Sequence, residues 1–363
     1  MLQVDNRAPF TAALSVFPDT AGVETAYAVV KATFTIGAEG PELARPQLPL
    51  LATDVFWGEP AMSSLRASGE FGLLKPSTDV LLSGRAIAPG PDTRIADVML
   101  AVGPVSRTVR VFGDRQWRKS GGQWRPSDPQ PWQRMPLRWE LAYGGIAPAD
   151  GDKMPEYEPR NPVGRGFVAS GAQPEDDQAL PNLEDPRALL ADPHDRPAPM
   201  GFGPVAPTWL PRRTYAGTYD EAWTRGRAPY LPLDFDARYF HVAPPGLIAP
   251  GFLQGGEPVT MAGFTAGAPL QFNLPQCALE LEFDFDGSRL PKPLQMETVL
   301  FEPDAGRFQM LWRAALAVDK KLLKLRQIIV RSRAFERDGS PARPLGRLSS
   351  MPPAYAAAGA EAD

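Results

Sequence analysis

The sequence has few of the residues that build metal sites and many catalytic sites. Its 363 residues include one cysteine, Cys277, and two histidines, His194 and His241. A single cysteine excludes a disulfide within the chain and any zinc site that needs several thiolates. We therefore expect no metal and no cofactor, and the absences point away from many classes of enzyme.

The sequence also has no excess of basic residues and no long apolar run. The chain has 38 Lys and Arg against 42 Asp and Glu, a net charge of −4, which does not favour nucleic acid as a partner. It contains no run of 18 apolar residues, so we expect no membrane span. The N-terminus reads MLQVDNRAPF, with polar and acidic residues where a signal peptide would be apolar. This pattern predicts a cytoplasmic protein.

Proline, in contrast, is abundant. The 42 prolines are more than twice the usual share, and proline interrupts both helices and the central strands of sheets. Long helices and a doubly wound α/β sheet are therefore not expected.

Short runs of β-branched and aromatic residues, each bounded by Gly, Pro or Asp, indicate strands. Residues 10–36 resemble a hairpin, and further strands are expected at Asp79–Leu82 and Ala96–Val102. Residues 279–286 alternate strictly between apolar and acidic side chains, which is typical of a strand with one buried face.

The C-terminal third continues this pattern. We predict a hairpin over Thr298–Arg313, with a turn at residues 303–306, and then a short helical turn at Asp319–Leu323 followed by a strand. The fold class expected from these patterns is mainly β, a large irregular domain of packed antiparallel sheets with long Pro/Trp-rich loops and little helix.

Residues 101–250 carry 23 of the 42 prolines and six of the eight tryptophans, and we interpret them as ordered loops because disordered segments lack aromatic residues. The predicted domain spans residues 1–337, with a sub-boundary near residue 290 as the alternative. Residues 338–363, rich in Gly, Pro, Ser and Ala, are predicted to form a disordered tail.

Several acidic groups are candidates for chemistry. Asp234 and Asp236, in LPLDFDARYF, would face the same side of an extended chain, as the acid pair of a glycoside hydrolase does, but the pattern is a weak signal, and loop capping or pairing with an arginine such as Arg238 is the simpler explanation. The acidic residues around His194, in DPHDRP, suggest either a metal ligand set or a turn. The four carboxylates of residues 280–286 suggest a cation site or, more simply, a solvated strand face.

Arginine and aspartate recur beside tryptophan and tyrosine in GDRQW, EPRNPVGRGF and YAGTYDEAW. Arg, Trp and Tyr are the residues that most often anchor protein interfaces. The candidate partner-binding residues are therefore Arg115, Trp117, Arg160, Tyr219, Asp220 and Trp223.

A series of motifs in a fixed order resembles the bacterial domain-of-unknown-function family 2169. The motifs are KPSTDVLLSG, GDRQW, PLRWELAYGG, RNPVGRGF, LPNLEDP, GFGP, YAGTYDEAW, LPLDFDARYFHVAP and GGEPV. Members of that family are found beside type VI secretion genes. The resemblance implies a non-enzymatic adaptor, similar to a chaperone, that helps load a toxic effector protein onto the VgrG spike; it supplies no catalytic residue.

Two other classes of function stay open on the sequence. One is a carbohydrate-active or cell-wall-processing enzyme that uses Asp234 and Asp236. The other is a carbohydrate-binding module with exposed tryptophan rings. An acid-lined cleft would favour the enzyme, a flat aromatic platform the sugar binder, and an exposed apolar patch or extended groove the adaptor.

Overall fold

A computed structural model describes residues 2–37, 40–60, 62–148 and 154–341. It confirms a mainly β fold with several antiparallel sheets and little helix. The first strands are β1 (Gln3–Asn6), β2 (Thr11–Pro18), β3 (Glu24–Gly37), β4 (Gly40–Leu43), β5 (Val55–Phe56), β6 (Leu65–Ala67), β7 (Asp79–Leu82), β8 (Arg85–Ile87), β9 (Ile95–Val102), β10 (Val105–Phe112), β11 (Trp117–Ser120) and β12 (Gln123–Pro126). The remaining strands are β13 (Arg134–Pro136), β14 (Tyr143–Gly144), β15 (Arg165–Gly166), β16 (Leu183–Glu184), β17 (Pro258–Ala262), β18 (Leu270–Asn273), β19 (Leu279–Phe285), β20 (Ser288–Lys292), β21 (Gln295–Glu302), β22 (Arg307–Ala317) and β23 (Gln327–Ser332).

The largest sheet joins the two ends of the chain. Its order is β2-β3-β22-β21-β7, with β4 pairing β3 beyond the end of β2. All pairs are antiparallel except β7 with β21. Strand β3 is central in this sheet, because β22 covers one edge and β2 and β4 share the other, and ten of its consecutive residues are buried. The hairpins predicted at residues 10–36 and 298–313 are both confirmed and lie side by side in this sheet.

Two further sheets complete the frame. The order of the five-stranded sheet is β16-β10-β9-β17-β18, and that of the four-stranded sheet is β1-β23-β19-β20. The ring of Phe272 on β18 lies 5.4 Å from the ring of Phe308 on β22, and Phe308 in turn stacks on Phe34. Aromatic packing therefore joins the five-stranded sheet to the largest one. The main hydrophobic core draws its buried residues from Ala8 through to Val330.

The acidic ladder on β19 is paired with basic and polar groups. The predicted alternation is confirmed, with Leu281 and Phe283 buried on one face. Its carboxylates at residues 280, 282, 284 and 286 contact Arg333, Arg331, Gln327 and Arg326, respectively. The helical turn and strand predicted after residue 318 are also present, as a 3-10 turn at Asp319–Lys324 and as β23.

After β12 the central segment is mostly loop. It contains only strands of two or three residues, one α-helix, α1 (Glu221–Gly226), and 3-10 turns at Trp139–Leu141, Arg212–Tyr215 and Ala237–Phe240. A further 3-10 turn, Pro303–Ala305, closes the β21–β22 hairpin. In the described part of the chain, no helix is both long and apolar enough to cross a membrane.

The predicted tail lies largely outside the described residues, which end at residue 341. Before that point the chain folds back onto the largest sheet. Phe335 packs edge-on against Phe10 at 5.7 Å, and the carbonyl of Asp338 accepts a hydrogen bond from Arg45.

Candidate functional site

The six candidate partner-binding residues lie in three separate places. Arg115 and Trp117 are buried at the start of β11, where a partner cannot reach them in this fold. The Arg115 guanidinium lies 3.6 Å from the centre of the Phe112 ring and donates to the carboxylate of Glu184. Burial raises the pKa of Glu184, against the opposing attraction of Arg115.

Trp117 belongs to a second, smaller apolar cluster. Its indole is fully buried and packs with five other buried side chains, those of Tyr143, Ala147, Phe167, Leu180 and Leu190. The recurrence of Arg and Trp in GDRQW therefore reflects an irregular core in this part of the chain. Sequence patterns cannot separate a buried Arg–aromatic cluster from an exposed one, because both use the same residue types.

Arg160 is half-buried and positioned by its neighbour Glu158. Both its Nε and Nη2 atoms donate to the Glu158 carboxylate at 2.7 Å, and Nη2 also donates to the Pro197 carbonyl at 3.1 Å. The hydrogen bonds that Arg160 donates to Glu158 raise the pKa of Arg160. Its charge is therefore already paired.

Tyr219, Asp220 and Trp223 lie together at the start of α1. The Asp220 carboxylate caps the helix by accepting from the Trp223 amide at 2.8 Å. The Tyr219 and Trp223 rings pack edge to face with their centres 4.8 Å apart. The Trp223 indole donates to the carbonyl of Tyr230 at 2.9 Å, which fixes the far end of the loop.

The loop after α1 brings two more large side chains to this place. Tyr230 is 41% exposed and Leu233 is 87% exposed, beside Tyr219 at 53%. Asp234 accepts from the amide and hydroxyl of Thr218 at 3.0 and 2.7 Å, so the segment that carries Leu233 runs beside the segment that carries Tyr219. We call the four side chains Tyr219, Trp223, Tyr230 and Leu233 the aromatic surface.

Arg227 anchors the aromatic surface to the largest sheet. Its guanidinium donates to the carbonyls of Thr20 and Ala21, in the turn between β2 and β3, and to the carbonyl of Leu231. It also lies 5.5 Å from the centre of the Tyr230 ring. Exposed aromatic residues thus stand on a fixed base at one end of the sheet.

Asp234 and Asp236 are engaged in loop contacts. Asp236 accepts from the amide of Arg238 at 2.8 Å and pairs with its guanidinium. The hydrogen bonds from Thr218 lower the pKa of Asp234, and those from Arg238 lower the pKa of Asp236. A general acid in glycoside hydrolysis needs the opposite shift. This pair therefore resembles loop caps more closely than a catalytic pair.

The loop around His194 is a turn held by its own carboxylates. Asp192 accepts from the His194 amide at 2.9 Å, and Asp195 accepts from the amides of Ala191 and Asp192. Among the residues that the structure describes, no three His, Cys, Asp or Glu side chains converge to hold a metal ion.

A buried ionic cluster brings two of the sequence motifs together. Asp79, on β7, accepts from Lys75 at 2.8 Å and from the Val242 amide at 2.8 Å, and its other oxygen lies 2.8 Å from Nδ1 of His241. Burial opposes ionisation of Asp79, but the attraction of Lys75 and the hydrogen bond from His241 lower its pKa. The KPSTD and FHVAP motifs are about 160 residues apart in the sequence, and nothing in either motif predicts this contact.

Further ion pairs surround a cavity of about 280 Å³ next to this cluster. Lys31 on β3 pairs with Glu70 at 2.8 Å, and Arg313 on β22 pairs with Glu297 at 2.7 Å. Pairs of this kind contribute little net stability but are costly to break. We infer that they fix the position of residues 49–75 against the largest sheet.

Comparison with known proteins identifies a family. The family described as "Uncharacterized protein conserved in bacteria (DUF2169)" matches residues 21–313, which include the central segment and most strands of the largest sheet. No curated protein and no solved structure matches the chain.

Proposed function

The chain belongs to the bacterial DUF2169 family, and we propose that it is a non-enzymatic adaptor of type VI secretion. In this proposal it binds a toxic effector in the cytoplasm and helps load it onto the VgrG spike. The type VI context comes from the family resemblance. The observation that carries an adaptor role is the aromatic surface of Tyr219, Trp223, Tyr230 and Leu233.

The shape of this surface favours a protein partner. Interface hot spots are enriched in Trp, Tyr and Arg. Leu233 is 87% exposed, so it stabilises little of the fold while offering an apolar anchor to a partner. The base is ordered because Arg227 ties the loop to the β2–β3 turn.

The same geometry makes a sugar-binding platform less suitable. A platform for sugar rings requires flat, open aromatic faces. The planes of Tyr219 and Trp223 meet at 68°, so the edge of one ring covers the face of the other. The loop contacts of Asp234 and Asp236 likewise favour the adaptor over an enzyme that uses those residues.

The test is capture of both partners by the full-length protein. The immobilised chain is incubated with a purified type VI effector and VgrG protein from the same bacterium, separately and together. The proposal expects capture of the effector, and of the spike protein when the effector is present. Capture of neither protein would contradict it. Tyr219→Ala should weaken capture, whereas Tyr157→Ala, which alters another exposed tyrosine (42%), should not.

A further inference from the structure

A groove of about 570 Å³ runs along one edge of the five-stranded sheet and shares no lining residue with the aromatic surface. One wall is formed by three successive residues of β10, Ser106, Arg107 and Thr108. The other walls come from the segments 185–187, 198–200, 210–211 and 244–246, together with Trp139, Arg160 and Val205. They supply apolar groups, including Met200 and five prolines, and the charged groups of Asp185 and Arg187.

The strand register shows which main-chain groups face this groove. Strands β9 and β10 are joined by the two-residue turn Gly103–Pro104, with Gly103 at a positive φ of 50°. Val102 and Val105 therefore form the first hydrogen-bonded pair, and the odd-numbered residues of β10 point their N–H and C=O groups at β9. The even-numbered residues point theirs to the opposite edge.

Contacts further along β10 agree with this register. On the edge away from β9, Arg110 pairs with Glu184 of β16, and the amide of Phe112 donates to the carbonyl of Asn182 at 2.8 Å. The pairing with β16 stops at Arg110. Within the described residues, the main-chain groups of Ser106 and Thr108 on this edge have no hydrogen-bond partner, so a stretch of open sheet edge lines the groove.

Arg107 lies at the same place, and the nearest acidic group in the groove, Asp185, pairs with Arg187 at 3.0 Å. The Nη1 atom of Arg107 donates to the carbonyl of Gly201 at 2.9 Å and its Nη2 atom to the carbonyl of Pro245. In the part of the chain that the structure describes, it pairs with no carboxylate, whereas Arg110 pairs with Asp97 at 2.8 Å. Burial lowers the pKa of Arg107 to about 10, although the attraction of Asp185 opposes the shift, and a further carboxylate would oppose it more.

We propose that this groove binds an extended segment of a partner protein, which adds a strand to the open edge of β10 and places a carboxylate against Arg107. An open sheet edge supplies main-chain hydrogen bonds to an extended peptide, and side-chain pockets supply the specificity. The apolar walls suit aliphatic side chains on either side of the acidic one. This inference rests on the proposed adaptor function, because it assumes that a protein is the partner.

The test uses a phage-displayed library of random eight-residue peptides selected on the full-length protein. We expect enriched sequences that share one Asp or Glu flanked by aliphatic residues. A synthetic peptide with the enriched sequence is then compared with its Asp→Asn or Glu→Gln counterpart by fluorescence anisotropy. Loss of the charge, in the peptide or by Arg107→Gln, should weaken binding about 30-fold or more.

Two variants separate loss of binding from loss of folding. Thr108→Pro removes an N–H that faces the open edge, where proline is tolerated, so the melting temperature should stay close to wild type while peptide binding falls. Arg110→Gln, which changes an arginine that is already paired with Asp97, should leave peptide binding unchanged.

The outcomes are also distinct from those for the aromatic surface. Leu233→Asp should not affect peptide binding to the groove. If the protein captures neither the effector nor the spike protein, the peptide experiment can therefore still support or overturn the groove proposal. A library that enriches no acidic sequence, or peptide binding that survives both Arg107→Gln and Thr108→Pro, would overturn the inference. Peptide selection that succeeds only after removal of residues 342–363 would assign the groove to the protein's own C-terminal residues and would also overturn it.

Discussion

The Nδ1 atom of His241 lies 2.8 Å from a carboxylate oxygen of Asp79, which is 162 residues earlier in the chain. The second oxygen of Asp79 accepts from Lys75 and from the Val242 amide. A fully buried carboxylate thus joins β7 of the largest sheet to the end of the central loops. At this point the central segment is held to the largest sheet by ionic and hydrogen-bond contacts as well as by apolar packing.

Asp79→Asn should therefore destabilise the fold strongly. The substitution leaves Lys75 buried without its counter-ion, a change that costs about 3–5 kcal/mol. Urea denaturation measures the free energy of unfolding. The matched control is Glu221→Gln, which breaks the exposed pair with Arg225 and should cost about 0.5 kcal/mol or less. An equal decrease in the free energy of unfolding in the two variants would show that the buried Asp79–Lys75 pair stabilises the fold no more than an exposed pair does.

The contribution of Asp79 should also depend on pH. Its pKa is lowered in the fold from an ordinary value of 3.8, so its stabilisation is present above about pH 4 and is lost as the pH falls through the folded value. Lys75 and His241 face the same carboxylate. The difference in unfolding free energy between wild type and Asp79→Asn should shrink as the pH falls below about 4. A difference that grows on acidification would contradict this.

Cys277 should be chemically inert in the folded protein. Its side chain is buried, and burial raises its pKa to about 12, so the reactive thiolate is scarce at pH 8. A colorimetric disulfide reagent such as DTNB should react over hours with the native protein and within seconds in guanidinium chloride. Fast, complete reaction without denaturant would mean that this part of the core opens readily.

Trp117 and Trp223 should respond differently to alanine. Trp117 is fully buried in the smaller apolar cluster, and its truncation should cost about 3–5 kcal/mol of stability. Trp223 is half-buried on the aromatic surface, so its truncation should cost less stability and more partner binding. Thermal melts and partner capture are measured on both variants. A large stability loss for Trp223→Ala alone would reverse the two assignments.

The strands that were predictable from sequence are those whose side chains alternate or form continuous apolar runs. The alternation over residues 279–286 identified β19, and the Val- and Thr-rich run after Tyr27 identified β3. Both patterns can be recognised within a few residues. A strand with one buried face has an apolar side chain at every second position, and a strand with two buried faces has a continuous apolar run. The sequence also placed the turn between β21 and β22 through Pro303 and Gly306.

The arrangement of the central segment and most of the site were not predictable in this way. Loops have no period, so nothing local indicates that Lys75 and His241 meet at one carboxylate. Burial of Arg115 and exposure of Tyr219 depend equally on contacts that are distant in sequence. Tyr219, Asp220 and Trp223 are predicted from the YAGTYDEAW motif because Tyr and Trp often anchor interfaces, and the structure places Tyr219 at the surface and Trp223 half-buried beside it.

Leu233→Asp, with Leu323→Asp as its control, tests the adaptor proposal most directly. The two leucines are 87% and 88% exposed, so neither change should lower the melting temperature, but only Leu233 belongs to the aromatic surface. The measurement is the dissociation constant for the effector by biolayer interferometry. We expect Leu233→Asp to weaken binding about 30-fold, as loss of a hot spot worth about 2 kcal/mol would, and Leu323→Asp to leave it unchanged. Equal affinities for wild type and both variants would contradict the proposal that this surface binds the effector.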